Sequence, residues 1–295
     1  MFFKRRNPFI DSWWKKAIRF FGYTVAIITI IAIFSGPTED LSDEIFIIPI
    51  TGTIYSGSDT FSPDTFSDDI ISQLDSAAKN EKIKAVILEI DSPGGTVVGS
   101  REISNALEEF DKPVITWMRE NAASGAYWIA VSTDHIVADP ATITGSIGVT
   151  GSYLQFSGLL DDYNISYERF VSGEYKDTGS PFKEVSERER TYLQNKINIL
   201  NDMFIEHVAD ARGLTESYVR GQATGEIFLG TEALNRKLID SLGGKKEAIE
   251  LAANMAELED YQVTRYEPPT PLFGKLFYTL TKTNLNAQTS FGVRA

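Results

Sequence analysis

The run Ile83-Lys84-Ala85-Val86-Ile87-Leu88-Glu89-Ile90 constrains the fold more than any other stretch of the chain. Its β-branched, nearly unbroken apolar pattern reads as a strand, and Asp91-Ser92-Pro93-Gly94-Gly95 stops it. A helical pattern follows from about Val97 to Phe110. The same succession appears on either side. Ile45 to Ile54 is a strand with Pro49 marking an edge or a bulge, and Asp64 to Lys79 carries Phe66, Ile70, Ile71, Leu74, Ala77 and Ala78 at helical spacing. Pro113 to Met118 is a further strand, and a helix opens near Ser124. Strand alternating with helix predicts an α/β core with parallel pairing.

The second half is less regular. His135 opens a buried strand, and Ile165 to Val171 is strand-like. Ser186-Glu187-Arg188-Glu189 carries capping signals for a long helix reaching about Arg212. Its face of Tyr192, Ile199, Met203 and Ile205 is expected to pack. Thr215 starts a short helix, Lys245 to Leu258 forms another, and Tyr261 to Tyr266 reads as an edge strand.

Ligands of open α/β sheets bind beyond the carboxyl ends of the strands, so the residues there are the first candidates for chemistry. Ala122-Ala123-Ser124-Gly125-Ala126-Tyr127-Trp128 sets one serine among small residues at a turn that opens a helix. Unpaired backbone N–H groups at such a helix start favour developing negative charge, which suits an acyl-transfer nucleophile with half an oxyanion hole. Small residues around a serine equally suit tight helix packing. Gly95 is a candidate second oxyanion donor, or an ordinary strand-to-helix turn. In Thr144-Gly145-Ser146-Ile147-Gly148, Ser146 can hold a neutral amine or satisfy local backbone.

A serine hydroxyl needs a base. The two histidines, His135 in a strand pattern and His207 in a long helical run, read as structural. Lysine is the other base that partners serine, provided its pKa falls from about 10.4. Lys176 lies in the turn-rich segment Ser172-Gly173-Glu174-Tyr175-Lys176-Asp177-Thr178-Gly179-Ser180-Pro181-Phe182, where Gly173, Gly179 and Pro181 suit an irregular backbone that points a lysine inward. On local sequence alone the solvated loop lysine is the favoured reading, since lysine is rarely buried.

In this order, Asp91-Ser92-Pro93-Gly94-Gly95, Ala123-Ser124-Gly125-Ala126-Tyr127-Trp128, Thr144-Gly145-Ser146-Ile147-Gly148 and Gly173-Glu174-Tyr175-Lys176-Asp177 with Ser180-Pro181 resemble the signal peptide peptidase A family. The resemblance runs from about Ile45 to Asp260. It implies a ClpP/crotonase-like fold, a parallel sheet flanked by helices, in a membrane-anchored bacterial serine peptidase. It implies Ser124 as nucleophile, Lys176 as general base, Ser146 orienting the lysine, and Gly95 and Gly125 amides as the oxyanion hole. Family members often have Ser-Gly-Gly where this chain has Ser124-Gly125-Ala126. The related SohB-like group shares the dyad. Longer members carry two tandem copies and draw serine and lysine from different copies. This chain has one, which implies a homo-oligomer with Lys176 of one subunit serving Ser124 of the next. The implied substrates are signal-peptide remnants and other apolar peptides. No cofactor and no metal is implied.

The N-terminus points to a membrane. Phe20 to Phe34 is uncharged and apolar, preceded by six basic residues against the single acid Asp11. The positive-inside rule puts residues 1–19 in the cytoplasm, a retained transmembrane helix at 20–37, and everything later outside; by the resemblance, that is the periplasmic side of a bacterial inner membrane. A cleavable signal peptide competes with that reading, although Ser35-Gly36-Pro37-Thr38-Glu39 lacks a clear cleavage site. Residues 38–44 read as a linker, 45–267 as the peptidase domain, and 268–295 as a tail. After Arg19 the chain holds 22 basic and 40 acidic residues, a balance that repels nucleic acid. Absence of cysteine excludes a disulfide framework and thiolate metal sites. Two rivals stay open: an inactive membrane scaffold that keeps the fold, and an acyl-CoA-type enzyme that would need no lysine.

Overall fold

The computed structural model describes residues 42–59 and 62–267, together with 20, 21, 23 and 24. The expected membrane helix, the basic segment before it and the tail 268–295 therefore lie almost wholly outside the described residues. Among those described, no helix is long and apolar enough to cross a membrane. The chain divides between Ser42 and Asp43 into two units, and the elements below belong to the second.

The order is β1 (Asp43–Tyr55), β2 (Thr65–Phe66), α1 (Ser67–Lys79), β3 (Ile83–Gly95), α2 (Val97–Glu108), β4 (Val114–Ala123), α3 (Gly125–Ala130), β5 (His135–Ala138) and β6 (Ile143–Gly145). It continues with α4 (Ser157–Asp162), α5 (Glu187–Arg212), α6 (Glu216–Gln222), β7 (Ile227–Leu229), α7 (Gly230–Asn235), β8 (Ser241–Leu242), α8 (Lys245–Met255) and β9 (Tyr261–Arg265). The strands make one sheet ordered β2-β1-β3-β4-β5-β8, parallel along that path. Strand β9 pairs parallel with the start of β1 and is an edge strand, as its sequence suggested. Pro49 falls between the stretches of β1 that β9 and β2 cover, where β1 has β3 alone as partner.

Both faces of the sheet are covered, which is why β3 reads as apolar almost throughout. Even-numbered Ile48, Ile50, Val86, Leu88 and Ile90 belong to the larger core beneath α1, α2, α3 and α5. Odd-numbered Ile45, Ile47, Ala85 and Ile87 meet Ala248, Ala252 and Ala253 of α8. Glu89, an odd position in the middle of β3, is buried on that second face. It is held by Arg119 of β4 and Arg265 of β9, each at 2.9 Å, so the charge is paired as burial demands.

Two expectations fail. Ile165 to Val171 forms no strand. Ile165, Phe170 and Val171 are exposed and pair with no strand among the described residues, and an unpaired extended run gains no ladder. On α5, Ile205 is buried, but Tyr192, Ile199 and Met203 are exposed.

Candidate active site

Three loops converge at the carboxyl ends of the central strands. Strand β4 ends at Ala123, and Ser124 follows as the N-cap of α3 with φ 53° and ψ −122°. That left-handed φ is costly for a residue with a Cβ and marks strain held by its surroundings. The Ser124 amide donates to the Gly145 carbonyl at 2.9 Å, and β4 pairs with β6 over residues 121–123 and 143–145. Ser146, also at positive φ (49°), follows directly and donates its N–H to the Glu226 carbonyl at 2.8 Å. The β4–β6 pairing thus brings the two serines together across 22 residues of sequence. A short antiparallel β7 completes the corner, and neither β6 nor β7 is evident in the sequence.

The third loop is the end of β3. Gly94 adopts φ 98°, and a Cβ there would lie 2.6 Å from the Gly125 nitrogen and 3.0 Å from the Ser124 Cβ. Only glycine permits that approach. A Cβ on Gly125 would lie 3.1 Å from the Gly95 nitrogen, so the Gly95 amide stands beside the start of α3. The Thr96 amide donates to Ile54 of β1, and the last β3–β4 pair is Ser92 with Ala122, so the ladder on the β4 side stops short of Gly95.

Ser124 opens onto two cavities. One, of about 100 Å³, is walled by Gly95, Gly125, Val97, Trp128, Val149 and Phe204. The other, of about 400 Å³, is lined by Ser146, Thr150, Thr224 and the α5 amides Gln194, Asn198 and Asn201. Both linings are free of charged side chains. Val97, Trp128, Phe204 and the amide row escaped the sequence reading, because a helical apolar or amide residue carries no mark of facing a cavity rather than core. The regular spacing of Gln194, Asn198 and Asn201 along one helix face was the available signal.

The structure places Ser124, Ser146, Gly95 and Gly125 around these cavities but leaves Lys176 out of them. Lys176 is exposed, in successive tight turns closed by Lys176 N–H to Gly173 O (3.1 Å) and Thr178 N–H to Tyr175 O (3.2 Å). Within one chain Lys176 is thus the solvated loop lysine that local sequence favoured, and the buried base implied by the resemblance is not formed there. The less exposed groups of that loop are Asp177 and Lys183, which ion-pair at 3.4 Å.

His207 is structural, as expected. Its Nε2 lies 3.1 Å from both the Ser132 hydroxyl and the Trp128 carbonyl, and the ring stacks on Trp128, which stacks in turn on Phe204. The histidine thus backs two walls of the apolar cavity. Burial lowers its pKa from 6.5, outweighing the upward pulls of the Trp128 carbonyl and Glu108. The unfolded chain therefore takes the proton more readily, and stability falls as pH drops below the unfolded value of about 6.5. His207→Gln should flatten this acid-side loss. Unfolding midpoints between pH 5 and 7.5 that fall equally steeply in both proteins would refute that assignment.

Comparison with known proteins shows the family. Residues 106–259 match the family model of peptidase family S49, and residues 44–153 match that of the NfeD1b N-terminal domain. The chain is 34% identical over 212 residues to a putative protease of Methanocaldococcus jannaschii, covering 70% of this chain and 68% of that protein. It is 34% identical to a putative signal peptide peptidase SppA of Enterococcus faecium over 69% of this chain and 60% of that one. Protease 4 of Haemophilus influenzae is 32% identical over 73% of this chain, which spans 35% of that longer protein. A solved structure of the 1510-N membrane-bound stomatin-specific protease, bound to a substrate peptide, has the same fold. Its TM-score is 0.52 at 17% identity, over 82% of this chain and 99% of that one. The chain belongs to peptidase family S49, with relatives of the signal peptide peptidase, protease 4 and SohB types.

Proposed function

We propose that this chain is a membrane-anchored serine endopeptidase with a Ser124–Lys176 dyad shared between subunits. One observation carries the reading: Ser124 is held in a strained conformation at a helix start, between an apolar cavity bearing Gly95 and Gly125 and a polar one bearing Ser146. Neutral Lys176 takes the proton of the Ser124 hydroxyl as Oγ attacks the peptide carbonyl carbon. The amides of Gly95 and Gly125 stabilise the resulting oxyanion. Protonated Lys176 then passes the proton to the departing amine nitrogen as the C–N bond breaks. A water, deprotonated by Lys176, hydrolyses the acyl-enzyme ester and frees Ser124. An uncharged polar cavity suits this lysine, because no lining carboxylate is present to keep the amine protonated.

The small apolar cavity beside Ser124 suits one aliphatic side chain of an apolar peptide, in keeping with signal-peptide remnants as substrates. The anchor at 20–37 would hold the site at the extracytoplasmic face of the membrane, where such peptides are met. Sharing of the dyad has two supports. The Lys176 loop is tied to Glu189, at the start of α5. Lys176 itself is exposed and lines neither cavity that opens at Ser124. Leu154, Ile165 and Phe170 on the same arm are exposed, with Phe170 at 95%, a surface that a second copy would cover.

Mixing Ser124→Ala with Lys176→Ala protein under conditions of subunit exchange tests the reading. Each variant alone should be inactive, and the mixture should recover up to about a quarter of wild-type peptidase activity, set by the fraction of serine–lysine pairs that are both intact. An inactive mixture would place both groups in one chain. Full activity of Lys176→Ala alone would end the dyad.

A further inference from the structure

We infer that Glu189 and Lys183 are positioning residues for Lys176, clamping its loop onto the first turn of α5. The inference rests on Lys176 as the base. The cluster is buried and nearly closed. Glu189, 7% exposed, accepts from the Ser186 amide (3.0 Å) and hydroxyl (2.8 Å), forming the capping box that starts α5. Its other oxygen takes the Lys183 ammonium and, at 3.3 Å, the Thr178 hydroxyl. Lys183, 17% exposed, also reaches Asp177 at 3.4 Å, and Asp177 pairs on its other oxygen with Arg169. Residues 177 and 178, directly after Lys176, are thereby fastened to the helix whose later turns line both Ser124 cavities.

A capping box alone needs only Ser186 and Glu189. Lys183 and Thr178 add nothing to the cap; both reach the Glu189 carboxylate, and Lys183 also holds Asp177, the residue after Lys176, which is what assigns the cluster a second task. The Lys183 hydrogen bond, followed by those from Ser186, holds the Glu189 carboxyl down to about 2, so it stays charged across the working range. An exposed lysine on turn-rich backbone would otherwise sample many positions. Misplacing a catalytic group by about 1 Å can cost on the order of 10²-fold in rate.

The test uses the full-length protein in detergent with an apolar fluorogenic peptide. Glu189→Gln and Lys183→Met should each lower kcat by about tenfold to a hundredfold with KM within about twofold of wild type. Lys183→Arg, which keeps the ion pair, should retain most activity. Mixing then reads which half of the dyad is damaged. Glu189→Gln subunits still carry a sound serine, so Ser124→Ala subunits should rescue them and Lys176→Ala subunits should not. Should Glu189→Gln fail to fold, Lys183→Met carries both arms. Unchanged kcat in both variants, or equal rescue by either partner, would overturn the inference. If Ser124→Ala and Lys176→Ala fail to complement each other, the shared dyad falls, and the kcat and Lys183→Arg results alone decide the clamp.

Discussion

Ser124→Ala should leave a folded protein with peptidase turnover reduced on the order of 10⁶-fold, the scale of removing a serine nucleophile that works with its base as one unit. The reduction should appear in kcat, because the cavities that receive the peptide stay in place. The same substitution should abolish labelling by a fluorophosphonate probe, which needs the activated hydroxyl. Stability should not fall. Ser124 sits at φ 53° without a side-chain capping bond, so deleting its hydroxyl costs the helix no partner. Peptide hydrolysis at even a hundredth of the wild-type rate in a clean Ser124→Ala preparation would remove this residue from the mechanism.

Gly95→Ala should damage the fold and Gly125→Ala should damage the chemistry, although both glycines stand beside Ser124. A Cβ on Gly95 would lie 2.0 Å from the Ile54 carbonyl oxygen and 2.5 Å from the Ile54 nitrogen. Both are backbone atoms of β1, locked by the β1–β3 ladder, so the strands must part. The expected cost is about 3 kcal/mol, at the upper end for overpacking, or a Tm roughly 6–12 °C lower. A Cβ on Gly125 meets the Ser100 hydroxyl at 2.4 Å, the tip of a side chain that can rotate away, and then crowds the Gly95 nitrogen at 3.1 Å. That variant keeps its backbone N–H but should push the Gly95 and Gly125 amides out of place, retaining most of its stability and losing up to about 10²- to 10³-fold in kcat, the scale of one oxyanion donor. Thermal unfolding and steady-state kinetics on both variants separate the two effects. A reversal of the pattern would mean that Gly125 supports the sheet and that its amide does not serve the reacting carbonyl.

The core was legible because its pattern is local. The apolar runs Ile45 to Ile54 and Ile83 to Ile90 read as strands directly, and the side chains of both fill the two cores observed. The long helix was legible for the same reason, since Ser186 and Glu189 announce its first turn and Gly213, at φ 60°, its last. The arm between Thr150 and Ser186 was not. Its strand-like run had the composition of a strand without a partner, and pairing is decided by what lies alongside, not by propensity.

The sequence by itself determined the parallel α/β body, the turn that carries Ser124, and the ordered set of segments that places the chain in its family. Hydrophobic period, capping residues and glycines act within a few residues of one another, so a linear reading recovers them. Tertiary structure alone decided that Ser146 meets Ser124 through a three-residue strand pairing, that Val97, Trp128 and Phe204 wall one cavity, and that Lys176 lines neither cavity. Those outcomes depend on which surfaces meet after the chain has closed. Asp177 and Lys183 pair beside the start of α5 while the neighbouring Lys176 stays exposed, and no count of residues along the chain contains that arrangement.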